Sequence, residues 1–285
     1  MTNAVLTKFS SQTSAPSRYA PPADDLEQAY RQPSFGGPTV PPDDVKGYGG
    51  GSGSGGGAGR VPTAPTRYMT IDDVIVRTGA MLVVLLLAGA ATWVLTPESA
   101  AGGLIAIGAL GGLGIALYMA FTMKANAFTA LLYAALQGVA LGAISRAFEQ
   151  WKHGIVVQAI TGTVLVAGGM LIAYRIGAIR VTPRFTKIVF ASTLGILGLM
   201  IINALAYLFH PGGLGLRDGG ALAIVFSLVV IGIAAMNLAV DFEVIQQGIR
   251  NGADEKFAWY ASFGLTVTLV WLYLEILRLL GYLRD

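Results

Sequence analysis

Asp241 interrupts an apolar run, AIVFSLVVIGIAAMNLAV at 223–240, long enough to cross a bilayer. About 20 apolar residues rising 1.5 Å each span a hydrocarbon core of ~30 Å. A carboxylate at that depth is costly and is normally turned toward protein or water. Two kinds of chemistry follow. The acid attracts cations and exchanges protons along a path, or it is neutralised by a base and serves only packing. Ser227 and Asn237 lie on roughly the same face of the run, since 14 and 4 residues before Asp241 are near whole turns. Lys124 falls at the same membrane end of another apolar run and either pairs with Asp241 or snorkels to the headgroups. Glu275 is the second acid inside a span, about 27 Å by helical rise from the start of its own run at Phe257. Arg278, three residues on, shares its face and is suited to clamp it. Thr268, two turns before Glu275, is better placed than Glu275 to share a path with Asp241. Tyr133, Gln137 and Ser145 stand at helical spacing in a third run and either line water or join helices. Glu243, Asp254 and Glu255 fall at the edge of the Asp241 run, as an acidic lip for cations or as ordinary solvated loop charges.

The elements that must position these groups are legible from hydropathy. Of the 285 residues 54% are hydrophobic and 12% charged, with mean hydropathy +0.63. That is a polytopic all-α membrane protein rather than a soluble domain. Seven apolar spans are expected, at about 74–95, 102–123, 127–147, 154–174, 186–209, 220–244 and 257–280. Thr70 and Asp73 read as a capping box before the first, and the glycines and alanines of the second permit close helix contact. Residues 1–68, rich in proline, glycine and serine, form the expected disordered tail; residues 69–285 form the membrane domain. The first long apolar run begins near residue 74, so no signal peptide is expected. Of the 19 lysines and arginines, only Arg146, Lys152, Arg217, Arg278 and Arg284 fall outside if the N-terminus is cytoplasmic, which is the orientation the positive-inside rule selects.

Other function classes are poorly served. The chain has no cysteine and two histidines, which excludes disulfides, thiolate sites and a histidine-rich zinc site. The net charge of +3 is spread by topology, with no basic patch for nucleic acid. No serine, histidine and acid assemble in span order, and no H-E-x-x-H is present, so no enzyme is expected.

Five stretches, MTIDDVIVRTG at 69–79, NAFTALLYAALQGVALGAIS at 126–145, VTPRFTKIVFASTLG at 181–195, AVDFEVIQQG at 239–248 and GLTVTLVWLYLEILRLLGYL at 264–283, together resemble the Bax inhibitor-1 family, in particular its bacterial members. The resemblance implies seven transmembrane helices, six around a central one, in a bacterial inner (plasma) membrane, and a pH-sensitive calcium leak. The family's acid on the sixth helix matches Asp241 and its basic latch matches Lys124. Its second aspartate, which with the first forms a proton-sharing pair, falls on Thr268, so that pair lacks one half here. The acid some members carry on the second helix has no match.

The expected function is therefore a pH-sensitive cation leak channel: Asp241 attracts the cation, Lys124 closes the inner mouth, and Asn237, Thr268 and Glu275 flank the path, with Tyr133, Gln137 and Ser227 in the polar bundle interior. The alternative is a non-conducting regulatory protein with a membrane-protein partner. No resident cofactor is called for beyond a transient calcium ion, for which Asp241 is the weak ligand. The lipid bilayer is the one partner the composition demands, and the oligomeric state is left open.

Overall fold

The computed structural model describes residues 67–209 and 213–284. The tail expected over 1–68 lies, apart from Arg67 and Tyr68, outside the described residues. Seven long apolar helices follow one another: α1 (Ile71–Leu95), α2 (Ala101–Thr122), α3 (Ala127–Trp151), α4 (Ile155–Arg175), α5 (Pro183–Phe209), α6 (Ala221–Arg250) and α7 (Phe257–Leu283). A single 3-10 turn, Glu98–Ala100, separates α1 from α2.

Local chemistry sets the helix ends. Thr70 and Asp73 form the reciprocal capping box at the start of α1: Asp73 N–H donates to the Thr70 hydroxyl, and Thr70 N–H to the Asp73 carboxylate. Asn126 and Thr129 do the same for α3. Thr182 accepts from Phe185 N–H with Pro183 at the first helical position of α5. The α4 N-terminus is satisfied from outside its own sequence, because the Glu149 carboxylate accepts from Gly154 N–H at 2.5 Å and Val156 N–H at 3.2 Å. α2 stops at Met123, the one non-glycine residue with positive φ (51°) among the described residues, so the chain turns away before Lys124.

The helices run longer than the apolar spans at several ends. α3 continues from the expected 147 to Trp151, α5 begins at Pro183, and α6 continues from 244 to Arg250. Thirty residues of α6 make about 45 Å of helix, more than the hydrocarbon thickness. Polar VIQQGIR keeps its helical hydrogen bonds beyond the apolar boundary that hydropathy detects.

α7 is central. It packs against α1, α3, α4 and α6, while α2 lies against α3 and α5 against α6. The arrangement implied by the resemblance is thus realised with four helices touching the central one and two set outside them. Its core runs through Met81, Met119, Tyr133 and Phe263 on one side and Ile155, Leu238, Leu272 and Leu277 on the other. Glycine makes the closest approaches. A Cβ at Gly142 of α3 would run into the carbonyl of Gly89 on α1, and one at Gly138 into the carbonyl of Leu85. Dispersion and close backbone contact replace the hydrophobic effect as the force holding helices together in lipid.

Candidate functional site

The α6–α7 interface holds the acids. Their polar contacts form two separate layers. In the layer nearer the α6–α7 loop, the Thr268 hydroxyl donates to Asp241 Oδ2 at 2.6 Å. Gly264, one turn earlier on α7, lies beside the carboxylate: a Cβ there would stand in ordinary contact with it, 3.6 Å from Asp241 Oδ1. Asp241 therefore faces the central helix and not the lipid. Among the described residues no ion pair involves it. A carboxyl group in a span without a basic partner needs a proton, water or a passing cation.

In the second layer, toward the other end of α7, Glu275 is only 2% exposed. It pairs with Arg278 at 2.5 Å, and the Ser227 hydroxyl of α6 approaches its other oxygen at 3.4 Å. The local clamp expected from the i, i+3 spacing is present. Ser227 belongs to this layer, separate from the Asp241 layer.

Four expected members of the site go elsewhere. Lys124 is exposed and forms no ion pair among the described residues; of its two expected roles the pairing with Asp241 is not made, Asp241 bonding Thr268 instead. The cause is structural: α2 unwinds at Met123 and packs against α3, and α6 is not among its principal neighbours. Asn237 turns toward α5, where its amide donates to Thr193 Oγ1 at 2.9 Å and to the Ile233 carbonyl at 3.0 Å. Forty degrees of helical rotation from Asp241 is enough to change the facing helix. Tyr133 is fully buried edge-on against Phe263 of α7, ring centroids 4.9 Å apart, and its hydroxyl pairs with Gln137. The Gln137 side chain in turn lies over Gly112 of α2. These two join α3 to its neighbours. Ser145 bonds the Tyr273 hydroxyl at 2.6 Å.

Two of the three acids of the expected lip, Glu243 and Glu255, are paired with bases, and the third, Asp254, accepts from Lys256 N–H at 2.8 Å. Glu243 accepts from Tyr174 at 2.6 Å, Gln247 at 3.0 Å and Arg250 at 2.6 Å. Glu255 is held by Arg77 at 2.5 Å. Sequence reasoning counted Arg77 only as a topological charge, yet it is the better-anchored base. It also donates to the Glu255 carbonyl and lies 5.3 Å over the Trp259 ring. The available signal was its position: an arginine two turns into α1 requires a partner. Next to this clasp, Tyr68 bridges Asp254 in antiparallel fashion, and Met69 N–H donates to Ala253 O at 2.8 Å.

The site can thus do two things chemically. It presents one carboxyl group with a single neutral hydroxyl partner inside the bundle, and it ties α1 to the α6–α7 loop with a charged clasp. In comparison with known proteins, residues 6–285 match the family described as Bax inhibitor 1 like. No curated protein matches the chain.

Proposed function

The chain belongs to the Bax inhibitor 1 like family of membrane proteins, and from that premise we propose that it is a pH-sensitive cation leak pathway of a bacterial inner membrane, with calcium as the conducted ion. The observation that supports this reading most is the Asp241–Thr268 contact: an acid inside a span, turned toward the central helix and lacking a base. Asp241 is the group that meets the cation and gains or loses the proton. Thr268 stands where a second carboxylate would make a proton-sharing pair, so the pH response is carried by one carboxyl group. Calcium prefers six to eight oxygen ligands. One carboxylate, one hydroxyl and nearby carbonyls make a passing site and not a resident one.

Calcium flux into liposomes holding the purified protein, followed across pH, tests the reading. Asp241→Asn is expected to abolish both the flux and its pH dependence, and Lys124→Ala to leave both unchanged. Thr268→Asp restores a carboxylate pair and is expected to make the pH dependence steeper and move it toward neutral pH, because two close carboxylates resist double ionisation. Retained flux with an unaltered pH profile in Asp241→Asn removes the proposal.

A second reading, a non-conducting regulatory protein acting through a membrane partner, has its own supporting observation. Among the described residues Thr78 Oγ1 is the one buried side-chain polar atom without a partner, which is the tight polar packing of a static bundle. Absence of flux in the native protein, together with a partner recovered by crosslinking in membranes, favours it.

A further inference from the structure

Between α1 and α4 lies a cleft of about 740 Å³. Leu86, Ala90 and Val94 of α1 form one wall, and Val164, Gly168 and Leu171 of α4 the other. Its floor is the central helix at Leu269, Val270 and Tyr273, with Leu238 and Phe242 of α6 toward one end and Leu141 and Ser145 of α3 toward the other. The wall residues face outward: Leu86 is 60% and Val164 64% exposed, against 7% for Val270 on the floor. The slot therefore opens sideways, at the height of the hydrocarbon.

Its chemistry selects an apolar occupant. The two hydroxyls at the floor, Ser145 and Tyr273, bond each other at 2.6 Å and ask nothing of a ligand. Water needs two to four polar partners, and the rest of the lining is carbon apart from the Trp93 indole and the Thr163 hydroxyl, which donates to the Ala159 carbonyl. Unfilled, walls of this kind would forfeit their dispersion contacts. The volume is that of a pocket that holds a small organic molecule. At the end marked by Trp93 and Val94 stands Arg146. Its Nη1 donates to the carbonyls of Trp93, at 3.0 Å, and of Thr96, and among the described residues its Nη2 and Nε make no further hydrogen bond, so the guanidinium keeps donors and its charge beside a residue of the cleft lining, Trp93. We infer that the α1–α4 cleft is a lipid site that takes one acyl chain of a membrane phospholipid against the central helix, with the lipid phosphate at Arg146.

The full-length protein in phosphatidylglycerol vesicles doped with phosphatidylglycerol carrying a mid-chain diazirine provides the test. After irradiation, adducts are mapped by mass spectrometry. Adducts are expected on Val270 and Tyr273, which lipid reaches only through the cleft, as well as on the outward residues Ile201 and Ile202 of α5. Gly168→Trp fills the slot at a position where a Cβ meets nothing within 4 Å, and is expected to remove the α7 adducts while those on α5 persist. Val164→Trp, on the same wall, is expected to do the same should Gly168→Trp not fold. Arg146→Gln is expected to lower α7 labelling by the phospholipid, but not by a diazirine hydrocarbon that has no headgroup. Unlabelled α7 in the native protein, α7 labelling unchanged by both tryptophans, or crosslinks between two chains through the cleft would each overturn the site.

Discussion

At the scale of single residues, two acids on adjoining helices face opposite electrostatic problems. Glu275 is 2% exposed and has Arg278, whose side chain is 21% exposed. Removing one member of a buried pair strands the other, at about 3–5 kcal/mol when both are fully enclosed. The stranded arginine can extend its long side chain toward water or headgroups, whereas the stranded glutamate cannot. Arg278→Gln is thus expected to destabilise more than Glu275→Gln, and the double variant less than Arg278→Gln alone; thermal unfolding in detergent reads the order. Asp241 has no such partner, and its hydroxyl contact is short and local. The sequence made part of this visible. The i, i+3 spacing of Glu275 and Arg278 is readable without coordinates, and so is the cost of an acid within a span. Which helix each polar group faces was not readable, because it depends on helix rotation and neighbour order. Asn237 illustrates the point: one turn from Asp241, it bonds Thr193 of another helix.

At the scale of elements, the seven helices follow the apolar runs closely, because a backbone in lipid must satisfy its own hydrogen bonds. The ends drift wherever a polar stretch continues the same ladder in water, as in the last turns of α6. The close pairing of α1 and α3 depends on glycines whose positions look alike in sequence but differ in surroundings. A Cβ at Gly142 meets backbone of α1, whereas one at Gly198 of α5 meets nothing within 4 Å. Gly142→Ala is expected to cost about 1–3 kcal/mol by forcing the helices apart. Gly198→Ala is expected to be neutral or stabilising, by up to about 1 kcal/mol from helix propensity. Unfolding of the two variants side by side in the same detergent gives the comparison.

At the scale of the whole molecule, the clasp of Arg77 on Glu255 and Trp259 joins the start of the membrane domain to its last loop. Charged hydrogen bonds of this kind contribute about 1.5–3 kcal/mol, and Arg77 adds a ring contact to them. Arg77→Ala is expected to lower the unfolding temperature and to raise amide exchange at Tyr68–Thr70 and at Ala253–Glu255 together, since those segments are bonded to each other. Exchange confined to one of them would show that the clasp does not couple the two. The same clasp has a consequence for biosynthesis. Arg77 leaves the ribosome some 180 residues before its acceptor, so a nascent chain halted after the sixth helix carries this guanidinium near the start of its first helix without the Glu255 carboxylate that holds it in the folded protein. Emergence of the last loop is then the event that closes the clasp on the first helix.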